Sequence, residues 1–108
     1  MIGKTLALTA AALVLAVAPA PLAQPAPATV KIGNFTFSPQ TLTVPVGATV
    51  TWANGDDVPH TVRATDGGFG SKPLDTGDSY AFTFKTPGEY RYFCSIHPMM
   101  TGKVVVKG

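Results

Sequence analysis

The residues best suited to chemistry sit together in Cys94-Ser95-Ile96-His97-Pro98-Met99-Met100, which holds the only cysteine, one of two histidines and two of three methionines. Thiolate and thioether are soft donors, and two His, one Cys and a weak axial Met form the donor set of a trigonal copper site used for electron transfer. Cys94, His97 and Met100 are the candidate donors in this loop, separated by two residues each. Pro98 fixes the backbone directly after His97 and limits how far its ring can swing. His60, which follows Pro59, is the only other histidine, so a two-His site has to use it. Met100 is read as the axial donor, and Met99 as part of an apolar surface beside the site. Asn54 is either a bridge between the two ligand loops or a turn former within Asn54-Gly55-Asp56.

These donors need elements to hold them. Turn signals recur along the chain at Ser38-Pro39, Pro45-Val46-Gly47, Asn54-Gly55-Asp56, Gly67-Gly68, Thr76-Gly77-Asp78 and Thr86-Pro87-Gly88. Short stretches rich in Val, Thr, Phe and Tyr lie between them, which predicts an all-β sandwich or barrel. The expected strands are 30–35, 40–44, 48–54, 60–64, 79–85, 89–93 and 103–107. In Tyr90-Arg91-Tyr92-Phe93-Cys94 the period of two puts Cys94 on the face of Tyr90 and Tyr92, so the thiol points inward at a strand end.

The N-terminus reads differently. Lys4 precedes an uncharged run from Thr5 to Ala18, then small residues and prolines, which is the layout of a secretory signal peptide. The run is shorter than the roughly 20 residues of a spanning helix. The signal is expected over 1–23, with cleavage between 20 and 28 and Ala23 or Ala28 favoured. A Pro/Ala-rich disordered leader is expected over 24–29, and a single folded domain over 30–108. Eight Lys and Arg against six Asp and Glu give a net charge of +2, with no basic cluster, which argues against nucleic acid. A single cysteine excludes an internal disulfide.

The segments Val50-Thr51-Trp52-Ala53-Asn54, Val58-Pro59-His60, Thr86-Pro87-Gly88-Glu89-Tyr90 and Cys94 through Val106 resemble the cupredoxin family, and within it the amicyanins, whose ligand loop is similarly short with proline after the histidine. The resemblance implies a Greek-key β-sandwich of about seven to eight strands. It also implies one type 1 copper ion on His60, Cys94, His97 and Met100, with Asn54 tying the first ligand loop to the cysteine loop. The implied role is one-electron exchange with redox proteins, by likeness an amine dehydrogenase as donor and a c-type cytochrome as acceptor, by a soluble periplasmic monomer with no membrane span after signal cleavage. A copper carrier or chaperone is the alternative. An oxidase or nitrite reductase needs a second copper centre, and two histidines do not supply one, so no enzyme is expected.

Overall fold

In a computed structural model the chain is described at Gly3 and over residues 27–108. The expected signal peptide, apart from Gly3, and residues 24–26 of the leader lie outside the described residues. Eight strands form: β1 (Ala28–Gly33), β2 (Thr36–Ser38), β3 (Thr41–Pro45), β4 (Thr49–Asn54), β5 (Arg63–Ala64), β6 (Ser79–Thr83), β7 (Gly88–Phe93) and β8 (Thr101–Lys107). They make two four-stranded sheets, ordered β2-β1-β4-β6 and β3-β8-β7-β5. The all-β sandwich expected from the sequence is the observed architecture.

Alternation drives the packing. In β4, Val50, Trp52 and Asn54 point inward, and in β8 Gly102, Val104 and Val106 do the same. β-Branched residues suit these half-buried pleated faces. Trp52 lies at the centre, with ring centroids 5.4 Å from Tyr92, 5.7 Å from Tyr80 and 5.8 Å from Phe69. It comes from one sheet and Tyr92 from the other, so this edge-on contact joins the two layers. Gly102 lies against the Tyr92 ring, where a Cβ would collide with it.

Strand ends shift by one or two residues at several places, and three of the departures from expectation bear on the site. The first strand starts earlier, because Ala28 and Thr29 pair in parallel with Val50 and Thr51. The leader expected over 24–29 therefore gives up its last two residues to β1, and the folded domain begins before residue 30. The same strand also ends earlier. Asn34 (φ 50°) and Phe35 (φ 57°) turn the chain between the paired residues Gly33 and Thr36. Two left-handed residues in a two-residue hairpin loop form a type I′ turn, and the chain returns as β2. The third difference lies in 60–64, where only Arg63 and Ala64 join a strand. His60 makes an isolated bridge to Leu74. The amides between them are engaged elsewhere: Thr61 N–H donates to Cys94 Sγ at 3.3 Å and Val62 N–H to Ser71 Oγ at 2.8 Å. A backbone donor used by a side chain is lost to the ladder.

Candidate metal centre

Cys94 leaves the end of β7, fully buried, on the inward face that carries Tyr92. The loop after it is closed by its own backbone. His97 N–H donates to Cys94 O at 3.2 Å, Met100 N–H to His97 O at 2.8 Å, and Cys94 N–H to Met100 O at 3.0 Å. The chain then enters β8 directly, so both ends of the loop are fixed to neighbouring strands of one sheet.

His60 is held from the opposite side. Its backbone N–H and C=O both bond to Leu74, at 3.1 and 2.7 Å, and its ring is fully buried. The ring Nε2 lies 2.8 Å from Asp56 Oδ2. A carboxylate only accepts, so Nε2 carries a proton, and Nδ1 is the ring nitrogen turned towards the sulfur. That Nδ1 lies 3.8 Å from Cys94 Sγ, and His97 Nδ1 lies 3.8 Å from the same sulfur. One donor atom each from His60, Cys94 and His97 falls within 4.8 Å of the others. Three donors this close, one of them sulfur, fit a single soft or borderline ion held by nitrogen and thiolate.

The sulfur is poised as a donor. Burial pushes the Cys94 thiol up, but the Thr61 N–H and then the His60 and His97 rings more than offset this, bringing it from 9.0 down to about 6. A thiolate is therefore favoured at neutral pH before any ion arrives.

Met100 is buried and Met99 is almost wholly exposed, which puts the second at the surface where the sequence reading expected it. The bridge between the ligand loops is a different residue from the one expected. Asn54 Nδ2 donates to Val58 O and Leu74 O, and its Oδ1 accepts from Asp56 N–H. It braces the loop leading to His60 and does not reach the cysteine loop. Thr61 makes the tie, its Oγ1 accepting from Ser95 N–H at 2.7 Å and lying 2.8 Å from Ser95 Oγ. The sequence offers little to mark Thr61 beyond its place next to His60.

Two more residues escape sequence reading. Asp56 orients His60, and its carboxyl is held below the usual 3.8, first by the Phe35 N–H and then by the His60 ring. Phe35 stands edge-on to both imidazoles, at 5.5 Å from His60 and 4.9 Å from His97. With Ile96 and Met99 it makes up the large exposed apolar side chains of the described residues, all of them on or beside the ligand loop.

The profile of the cupredoxin-like domain family matches residues 5–106. An amicyanin of Paracoccus versutus is 39% identical over 71 residues, covering 61% of this chain and 54% of that protein. This chain thus spans little more than half of that relative. Amicyanin-alpha of Methylorubrum extorquens is 35% identical over 83 residues, covering 72% of this chain and 70% of its own. Among solved structures, a purple cupredoxin from Nitrosopumilus maritimus superposes with a TM-score of 0.70 at 39% identity, covering 74% of this chain and 99% of that one.

Proposed function

The chain belongs to the cupredoxin-like domain family, and on that premise we propose that it carries single electrons between redox proteins, using one type 1 copper ion held by His60, Cys94, His97 and Met100. The observation that carries this reading is the convergence of His60 Nδ1 and His97 Nδ1 on the buried Cys94 sulfur. Bound copper would supply the Cu(II)/Cu(I) couple, and the thioether of buried Met100 adds the weak donor that favours Cu(I).

The protein's own part is to hold the donors still. His60 is locked by Leu74 and Asp56, Cys94 by Thr61, and the ligand loop by three internal backbone bonds. Donors fixed in this way need not reorganise when one electron is gained or lost. His97 is less buried than His60 and Cys94, so its ring edge is the exit for the electron. Exposed Ile96, Met99 and Phe35 form an apolar rim on which a partner docks briefly, through a contact below about 1,200 Å² as redox encounters use.

A carrier suits the chain better than an oxidase or nitrite reductase, because both histidines fall in one cluster and none is left for a second copper centre. An amine dehydrogenase as donor and a c-type cytochrome as acceptor suit the likeness to amicyanins, and a periplasmic monomer suits the N-terminal pattern. Cleavage after Ala23 leaves β1 whole, whereas cleavage after Ala28 removes the residue that pairs with Val50. Among the described residues no helix is long and apolar enough to cross a membrane.

The test is the visible absorption of the mature protein after adding Cu(II), beside Cys94→Ala. An intense band absent from C94A is the expected result. Equal copper uptake by both proteins, with no band in either, would sink the reading.

A further inference from the structure

The β1–β2 hairpin supplies part of the rim and a backbone donor to Asp56, and it carries unfavourable backbone beside the site. A type I′ turn wants Asn then Gly, because both central residues have positive φ. Asn34 meets the first requirement, but Phe35 occupies the second position at φ 57°, and a bulky side chain there is an outlier. An outlier of this kind persists only where surrounding contacts over-determine it, and such residues gather at functional sites. Its side chain gains little burial in exchange, since about half of it is exposed.

What surrounds it is the His60, Cys94 and His97 cluster. The Phe35 ring stands nearly perpendicular to the His97 ring at 4.9 Å and to the His60 ring at 5.5 Å. Its backbone N–H donates at 3.0 Å to Asp56 Oδ2. The same oxygen lies 2.8 Å from His60 Nε2. One carboxylate oxygen therefore fixes both the strained turn and the first histidine, and the turn delivers one ring onto both histidines.

We infer that Phe35 is a positioning residue for the metal centre, a ring held in a costly turn so that it clamps the His97 imidazole and shields it from water. This rests on the proposal that His60 and His97 are ligands. The edge-on contact restrains the imidazole from swinging outward, where Pro98 restrains only the backbone. A residue chosen for the turn alone would be glycine.

The experiment compares Phe35→Gly and Phe35→Tyr with the parent. In the metal-free proteins, hydrogen–deuterium exchange at the His97 ring Cε1 is followed at one fixed pH, with thermal unfolding alongside. In the copper-loaded proteins, release to excess chelator is timed. F35G is expected to exchange severalfold faster at His97 and to release copper about fivefold to tenfold faster, the factor set by loss of edge-on ring contacts. Its metal-free unfolding temperature should be no lower than the parent's, because glycine relaxes the turn. F35Y keeps the ring and should match the parent in every readout. Parent-like exchange in F35G, a lowered unfolding temperature in F35G, or an F35Y as fast as F35G would each overturn the inference. If the parent takes up no copper, the carrier reading fails by itself, and the exchange comparison still decides whether Phe35 clamps His97.

Discussion

At the scale of single residues, the site is set by hydrogen bonds onto one sulfur and one carboxylate. The thiol of Cys94 stands at about 6, where burial alone would have raised it, because the Thr61 N–H and the His60 and His97 rings together outweigh burial. His97→Ala in the metal-free protein should therefore move the thiol upward, which thiolate ultraviolet absorbance against pH reads directly. An unchanged midpoint would mean that the imidazole does not face the sulfur. The Asp56 carboxyl is depressed below 3.8 by the Phe35 N–H and then the His60 ring. A folded-state value below the unfolded one adds stability that is fully present above 3.8 and is lost as pH falls through the lower folded value. Asp56→Asn should flatten the acid-side loss of stability, measured by denaturant unfolding through the acid range, and lower the stability at neutral pH, where the Asp56 contribution is fully present in the parent. The grouping of His60, Cys94 and His97 was legible from their chemistry and spacing. Asp56 and Phe35 were not, because their roles depend on a tight turn folding back over the histidines, and Phe35 is a residue that turn preferences do not anticipate.

At the scale of elements, the junction between the two ligand segments is a hydroxyl and an amide. Thr61 Oγ1 accepts from Ser95 N–H, and Thr61 itself is nearly fully buried. Thr61→Val keeps the shape and strands that amide, so unfolding should show a loss of about 1–3 kcal/mol. A loss near zero would show that Ser95 finds another acceptor. The β7–β8 pair makes a second demand: Gly102 lies beneath the Tyr92 ring. Gly102→Ala forces that ring off its packing against Trp52 and should cost about 1–3 kcal/mol by overpacking, visible as a lowered unfolding midpoint with or without metal. Strand alternation exposed most of β4, β6, β7 and β8 to sequence reading, since apolar or aromatic residues recur at every second position of each. It failed at 60–64 because the amides of Thr61 and Val62 serve a sulfur and a hydroxyl in place of a neighbouring strand. It failed at 28–29 because Ala and Thr in a proline-rich context give no sign of the parallel partner, β4, that recruits them.

At the scale of the whole molecule, the site occupies one end of the sandwich, with its exposed apolar side chains clustered around it. Met99 is the most exposed of these and makes none of the hydrogen bonds that close the ligand loop. Met99→Lys should leave the visible copper spectrum intact and slow electron exchange with a redox partner about tenfold, the effect of pressing one charge into an apolar contact. Stopped-flow rates check this, and an unchanged rate would move the docking face elsewhere. The strand order carries a further consequence. β8 lies inside its sheet, between β3 and β7, yet it follows the other seven strands in the chain. Until it is in place, β3 has no partner in that sheet, and the cysteine loop lacks the strand that receives its far end. A chain emerging from a ribosome thus keeps this sheet open until β8 arrives. The donor atoms of His60, Cys94 and His97 are thereby held within reach of one ion only once β8 has been added, so capture waits on the closing of this sheet.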